Sequence, residues 1–246
     1  MASPKPPPGG GRSGRFEPAD LSSLPPELAL ARLPAGRHGL PRAFVAHNQR
    51  LRIVAGMLRV LPRHGYPETT IGDITREAGV SRAAFYQQFA DKQECFLATY
   101  DLASAWFCER VEAAVAERED WADRLRAGVA EALRLLADNP AVAHLFAIEG
   151  LQAGPAARRR QRVALGRFAS ILQAGPAGRV DVPPDLEELL LGGAVLLIAS
   201  YVDSGRAERL PDATEALVER LLIPYLLGDE EGGSARSDAA GEADAV

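Results

Sequence analysis

The sequence has few of the residues that mark secreted, membrane or β-rich proteins. It contains 2 cysteines and 6% aromatic residues in 246 positions, and its longest apolar run, 189–200, is too short to cross a bilayer. The Pro- and Gly-rich start lacks the apolar segment of a signal peptide. The sequence contains neither an Asn-Gly turn nor a sustained apolar–polar alternation, which are the patterns that predict strands. These absences favour an all-α cytoplasmic protein.

Motifs for catalysis and metal binding are also absent from the sequence. It has no P-loop, no G-x-S-x-G, no metal-ligand spacing and no Cys–His pair at motif spacing. Cys95 and Cys108 fall on one predicted helix, too far apart for a disulfide, so we expect two buried thiols. We therefore expect no enzyme activity, no cofactor and no metal.

Charge, by contrast, is present and unevenly distributed. The net charge is −5, yet residues 31–92 hold ten Lys and Arg against four Asp and Glu. Residues 93–246 hold fifteen against twenty-six. A basic segment joined to an acidic body is typical of proteins in which one part binds nucleic acid.

The basic segment contains the pattern of two short helices joined by a tight turn. Thr70 and Asp73 form a capping box at the start of the first helix, and Gly79 suits the left-handed residue that ends it. Ser81 caps the second helix, predicted over 82–89. A helical hairpin buried in a core has the same outline, but the residues on the outer face favour a helix-turn-helix.

The second helix carries small and hydrogen-bonding side chains on that outer face. Arg82 lies near its start, where a recognition helix meets base edges, and Ala83 and Ala84 permit close approach. Lys92 begins a third helix, capped by Asp91, whose free N–H groups favour an anion. The residues predicted to contact DNA are Thr70, Ser81, Arg82, Ala83, Ala84, Tyr86, Gln87, Gln88, Lys92, Arg37 and Arg50.

Further residues extend this pattern on both sides of the turn. They are His64-Gly65-Tyr66, Thr69-Thr70-Ile71, Asp73-Ile74, Ala78-Gly79-Val80-Ser81, Phe85-Tyr86, Phe89 and Lys92. With these residues, the segment 48–101 resembles the DNA-binding region of the TetR family of bacterial transcriptional regulators. It departs from the family's pattern at Ala84, where Thr is frequent, and at Gln88, where His is frequent. The resemblance implies operator contacts by Thr70, Arg82, Ala84, Tyr86 and Lys92.

The composition and the resemblance together predict five segments. Residues 1–30 are a disordered extension, 31–43 a basic arm, and 228–246 a disordered acidic tail. Between them we expect a three-helix DNA-binding domain with the helix-turn-helix at 44–91, followed by a helical effector-binding and dimerisation domain at 92–227.

Arginines outside the motif have two interpretations each. Arg37 in the arm either enters a minor groove or belongs to a solvated leader. Arg50 and Arg52 either contact phosphates or lie on a solvated face. The run 158–162 is either a second nucleic-acid site or a charged helix face.

The last two long helices carry more apolar surface than one domain face needs. A second copy of the chain would cover it and present two recognition helices to a palindromic operator, whereas an internal core is the alternative. The resemblance implies the homodimer, with these interface residues: Leu189, Leu190, Gly193, Leu197, Tyr201, Leu217, Leu221 and Tyr225.

Aromatic and polar residues of the middle helices are candidates for the effector site that the resemblance implies. They are Trp106, Phe107, His144, Phe146, Glu149 and Phe168. For His144, a hydrogen-bonded core position is the alternative. The predicted function is a DNA-binding repressor released from its operator by a small molecule. A helical interaction module or an enzyme without DNA binding is the alternative, and binding to random duplex at low salt distinguishes the two.

Overall fold

The computed structural model describes residues 42–173, Gly175 and 185–225, and its regular structure is helical throughout these ranges. The predicted all-α class is confirmed. The predicted extension, the basic arm up to residue 41 with its Arg37, and the acidic tail lie outside the described residues. None of the described helices combines the length and apolar character that crossing a membrane requires.

Three helices form the N-terminal head. They are α1 (Arg42–Glu68), α2 (Ile71–Ala78) and α3 (Arg82–Tyr86). The predicted inward stripe of α1, which includes Leu51 and Leu58, is buried. A Cβ at Gly56 would lie 2.9 Å from the carbonyl oxygen of Ile74, so only glycine allows α1 and α2 to pack this closely.

The backbone of α1 breaks at Gly65. Gly65 has φ 69° and ψ 161°, outside the helical region, yet the helix resumes and continues to Glu68. Glycine adopts this backbone conformation without the steric cost that a side chain imposes. The helix therefore has a break at Gly65 and a short final turn beyond it.

The predicted caps of the helix-turn-helix are confirmed. Thr70 and Asp73 form the reciprocal capping box, Gly79 has φ 62° and ψ 41°, and the hydroxyl of Ser81 accepts from the N–H of Ala84 at 3.1 Å. Asp91 caps the third helix as predicted, but the Glu94 carboxylate accepts from the N–H of Ala90 instead of that of Asp91.

The second helix of the motif is shorter than predicted. It ends at Tyr86 instead of near Phe89, because the chain tightens after it: the N–H groups of Gln88 and Phe89 both bond to the carbonyl of Phe85 at 2.9 Å. This turn brings the Phe89 ring back to the core, 5.7 Å from the Phe85 ring.

The body consists of the long α4 (Lys92–Ala116) and the helices that pack around it. They are α5 (Trp121–Asp138), α6 (Pro140–His144), α7 (Gly150–Gln152), α8 (Pro155–Gln173), α9 (Leu186–Asp203) and α10 (214–225). A 3₁₀ helix, Ala207–Ala213, leads into α10. The helical stretch from Pro140 to Gln152 contains a π-helix, Leu145–Glu149, between α6 and α7. Such wider turns occur often at functional sites.

The two cysteines are buried on α4, as predicted. Burial raises the pKa of the Cys95 thiol to about 12. Because the thiolate is the reactive form, this cysteine is a packing residue at neutral pH.

Candidate nucleic-acid interface and effector cavity

Helix α3 lies on the surface of the head and is held by one aromatic side chain. Phe85 is fully buried, whereas the neighbouring Tyr86 is 58% exposed. Arg82, Ala83 and Gln87 are exposed as well, and Ala84 and Gln88 are half-buried. One anchored face therefore presents the predicted recognition residues to solvent, in the arrangement that a major groove requires.

Arg82 lies beside the N-terminus of α2. A Cβ at Gly72 would lie 3.2 Å from Nη2 of Arg82 and 3.4 Å from Oγ1 of Thr70. Within the described residues, Arg82 makes no hydrogen bond or ion pair. The structure thus brings Arg82 and Thr70 to the same edge of the surface, with the guanidinium available to a ligand.

The capping box at Thr70 is a charged group on this surface. The Asp73 carboxylate accepts from the hydroxyl and the N–H of Thr70 at 2.5 and 3.1 Å, and it pairs with Arg76 at 3.0 Å. Hydrogen bonds from the Thr70 side chain and backbone, more than the Arg76 charge, lower the pKa of Asp73 from 3.8 to about 2.

Replacing Asp73 by alanine should therefore reduce stability in a pH-dependent way. Because the folded-state pKa lies below the unfolded one, the stabilisation is complete above about pH 4 and is lost as the pH falls towards 2. We expect a lower melting temperature than that of the parent protein at pH 7 and a shrinking difference below pH 4, measured by circular dichroism. Glu119→Ala, which removes an exposed carboxylate between α4 and α5, is the control, and a difference that persists unchanged to pH 2 would contradict the assignment.

Lys92 and Arg50 hold the backbone around the recognition helix. Lys92 Nζ donates to the carbonyls of Tyr66 and Pro67 at 2.8 and 3.2 Å and lies 4.4 Å from the Tyr66 ring centroid. Arg50 donates to the carbonyl of Gln88 at 2.8 Å and lies 4.2 Å from the Phe89 ring centroid. Lys92 thus joins α4 to the last turn of α1, and Arg50 joins α1 to the turn after α3.

Arg52 occupies neither of the two environments considered for it. Its guanidinium donates to the carbonyls of Ala78 and Gly79 at 2.7 Å. It thus satisfies the carbonyls at the C-terminus of α2, where a cation is favoured. The solvated-face interpretation is wrong for this residue, because the guanidinium joins α1 to the turn.

The arginines at 158–162 form a charged helix face. Arg160 pairs with Asp101 at 2.8 Å, and Arg162 lies 3.8 Å from Glu188. These carboxylates pair with two of the four arginines that a second nucleic-acid site would need, so the structure favours the solvated alternative.

A half-open cavity of about 140 Å³ lies in the body, lined by residues from α4, α5, α8, α9, α10 and the π-helix. Three of the predicted effector residues, Phe107, Phe146 and Phe168, line it, and none of the described residues in its wall is charged. Phe107 lies between the other two rings, with centroid distances of 5.4 and 5.8 Å. Among the described residues, no cluster of His, Cys, Asp and Glu could hold a metal ion.

The other three predicted effector residues do not line the cavity. Trp106 packs partly buried against the core. Glu149, 1% exposed, accepts from the backbone N–H of Tyr66 at 3.0 Å, and its other carboxylate oxygen lies 3.0 Å from His144 Nε2. Their assignment to the cavity wall is wrong, since the pair connects the π-helix to the end of α1. The hydrogen-bonded alternative for His144 is the one observed.

Three of the predicted dimer residues are buried within the chain. Leu217 and Leu221 line the cavity, and the Tyr225 ring packs on Trp121 with a centroid distance of 5.3 Å. Since none of them is available at the surface, their assignment to an interface is wrong. The apolar face of α10 covers the core of its own subunit, which is the internal alternative.

The predicted residues of α9 divide between the core and the surface. Leu190, Leu197 and Tyr201 are half-buried against the core. Gly193 is exposed and Leu189 is 72% exposed. Leu196, which the sequence interpretation omitted, is 64% exposed. We call Leu189, Gly193 and Leu196 the outer face of α9.

Sequence reasoning also missed several residues of the head and the cavity. Gly72 makes room for Arg82, and Ser104 and Gln161 are polar residues in the cavity wall. Ser104 could have been found, because it lies four residues before Cys108 and after Tyr100 on the inner face of α4. Gln161 had no such signal within its arginine-rich stretch.

Comparison with known proteins gives a consistent set of relatives. Residues 53–99 match the family described as bacterial regulatory proteins, tetR family. The HTH-type transcriptional repressor AcnR of Corynebacterium diphtheriae is 29% identical over 189 residues, covering 69% of this chain and 91% of that protein. The fatty acid metabolism regulator protein of Bacillus subtilis is 22% identical over 122 residues, covering 50% and 63%.

Solved structures share the fold. FadR from Bacillus subtilis, solved in complex with stearoyl-CoA, has a TM-score of 0.62 at 19% identity, covering 70% of this chain and 96% of that one. The fatty acid degradation regulator FadR from Bacillus halodurans has a TM-score of 0.64 at 18% identity, covering 71% and 94%. At such identities the likeness concerns the fold alone.

Proposed function

The chain belongs to the TetR family of bacterial transcriptional regulators and is a DNA-binding regulator, and from that premise we propose that it is a cytoplasmic, homodimeric repressor released from a palindromic operator by a small molecule. We further propose that residues 44–91 bind DNA and that residues 92–227 bind the effector and form the dimer. The curated relative AcnR, named a repressor, supports the sign of regulation.

The observation that carries this proposal is the exposed face of α3. Arg82 and Tyr86 lie one helical turn apart on it, Arg82 is unpaired among the described residues, and Ala83 leaves room for a groove wall. Base edges in the major groove are read by side chains placed in this way, and cations at the border position the phosphates.

Selection of bound sequences from a random duplex pool tests the function. We expect enrichment of a palindrome, with retention on random duplex at low salt that falls steeply as salt is added. A protein that ignores duplex DNA at low salt would refute the proposal and support the interaction-module alternative.

The outer face of α9 is the proposed dimer contact. A large exposed apolar surface on a soluble protein marks an interaction site, and Leu189 and Leu196 lie two turns apart with the small Gly193 between them. A two-fold axis there would make the contact isologous and place the two α3 helices about 34 Å apart for successive major grooves.

Replacing Leu196 by glutamate should dissociate this dimer. A carboxylate buried at a two-fold contact faces its own copy, so both desolvation and like-charge repulsion oppose association. Sedimentation velocity should show the monomer at concentrations where the parent protein is dimeric. The matched control is Val163→Glu, at a residue that is 71% exposed on α8, and it should leave the dimer intact.

The proposed route from effector to DNA runs through the π-helix. Phe146 and Ala147 line the cavity, and Glu149 at the end of the same π-helix binds the backbone N–H of Tyr66. Tyr66 in turn is held by Lys92, which begins α4. A ligand that shifts the π-helix would therefore move the head relative to the body and favour a conformer with the recognition helices misplaced.

A further inference from the structure

We propose that the cavity in the body binds an uncharged molecule, or an uncharged part of one, about the size of a single six-membered ring and carrying one hydroxyl group that bonds to Ser104. Phenol is the simplest ligand of this class. The inference rests on the proposed function, since it names the chemistry of the proposed effector site.

The volume of the cavity sets the size of the ligand. The cavity measures about 140 Å³. An apolar protein cavity of about 150 Å³ stays dry and binds benzene, so the space here matches one ring. A long acyl chain, like that of the stearoyl-CoA in the FadR structure, is several times larger than this cavity.

The lining excludes a charged ligand. No Lys, Arg, His, Asp or Glu is among the described residues that line the cavity. Transfer of an ionised group from water into such surroundings, without a partner, costs more than the rest of a small ligand can supply. A groove that shares Gln161, Leu165 and Val195 with the cavity wall has the carboxylates of Asp185 and Glu188 along it, which further disfavours an anion.

One polar atom in the cavity wall lacks a partner. The hydroxyl oxygen of Ser104 is inaccessible to solvent and has no hydrogen-bond partner among the described residues. Ser104 lies on the same face of α4 as Tyr100 and Phe107, and all three line the cavity. The oxygen is shielded in the position described, so the proposed bond requires a rotation about the Ser104 Cα–Cβ bond that turns the hydroxyl into the cavity. Leaving a buried hydroxyl unpaired is costly, and a ligand hydroxyl would then supply the missing bond.

The other amide-bearing residue of the wall is already engaged. Gln161 Nε2 donates to the carbonyl of Phe146 at 2.9 Å. This bond fixes the side chain against the π-helix and removes one donor from the cavity. Ser104 is therefore the residue that selects a hydroxylated ring over a plain one.

Calorimetric titration of the full chain with phenol, benzene and benzoate tests the proposal. We expect phenol to bind about fivefold to tenfold more tightly than benzene, the ratio that one buried hydrogen bond supplies, and benzoate not to bind. Ser104→Ala should reduce phenol to the affinity of benzene. Ser170→Ala, in which a serine outside the cavity loses its bond to the carbonyl of Arg167, should leave all three results unchanged.

A second variant tests the place of binding. Ala132→Phe fills the cavity with a side chain, so phenol and benzene should both lose binding while circular dichroism and the melting temperature show a folded protein. Binding of benzoate, equal affinity for phenol and benzene in the parent protein, or binding that survives Ala132→Phe would each overturn the inference. The proposed function is tested separately, by measuring whether the ligand-free protein binds duplex DNA. A protein that does not bind duplex DNA would contradict the proposed function, whatever the titrations show.

Discussion

Replacing Arg82 by alanine lowers the affinity for the selected operator by about 1–3 kcal/mol, roughly fivefold to 150-fold, and lowers the affinity for random duplex much less. Arg82 begins the exposed face of α3, and its guanidinium has no ion pair among the described residues. A guanidinium can bond to two acceptors on the edge of a guanine, and truncation to alanine removes both bonds. Because only the correct sequence places a guanine there, the loss is larger for the operator than for random duplex.

Fluorescence anisotropy with labelled operator and random duplexes measures this difference directly. Arg209→Ala is the matched control, because that guanidinium is also exposed but pairs with Asp212 in the 3₁₀ helix of the body. It should leave both affinities unchanged. Equal losses on operator and random duplex for Arg82→Ala would show that Arg82 contacts the phosphate backbone and does not read bases.

Replacing Glu149 by alanine uncouples the cavity from DNA binding. The parent protein should lose operator affinity when the cavity is filled, whereas the variant should hold nearly the same affinity with and without ligand. The physical reason is that the bond from the Tyr66 N–H to the Glu149 carboxylate is removed, and with it the connection of the π-helix to α1. The free energy of unfolding should also fall, by about 1–3 kcal/mol, because a backbone N–H loses its buried partner.

Operator affinity with and without phenol, together with urea unfolding, measures both effects. Glu112→Ala is the control, since its carboxylate pairs with Arg167 on the surface of the same body and touches neither the cavity nor α1. Glu149→Gln keeps one carbonyl oxygen for the Tyr66 N–H and should restore part of the coupling. A Glu149→Ala variant whose operator affinity still responds fully to ligand would show that the signal takes another route.

The head was largely predictable because its signals are local. A cap, a turn and an inward stripe each depend on neighbouring residues, so Thr70, Gly79 and Ser81 have the predicted roles. The end of α3 was not predictable in the same way. It depends on Phe89 returning to the core and on Arg50 reaching the Gln88 carbonyl from α1, which is a contact between distant parts of the chain.

The body was predictable only as a set of helices. Helix α9 carries apolar residues on nearly all of its sides, and such a helix does not reveal which side faces its own core. In the structure, Leu217 and Leu221 line the cavity, whereas Leu196 is exposed. The sequence predicted Glu149 as a polar residue of an aromatic effector site, yet its carboxylate accepts from the backbone N–H of Tyr66 in another helix.

The order of residues alone thus indicated the resemblance to the TetR family, the helical class and the exposed face proposed to contact DNA, because these depend on interactions within a few turns of helix. Tertiary packing alone decided the size and neutrality of the cavity, the link from the π-helix to Tyr66 and the surface left for a second subunit. Those properties depend on how closely helices that are distant in sequence pack together. The pattern of neighbouring residues does not determine that packing.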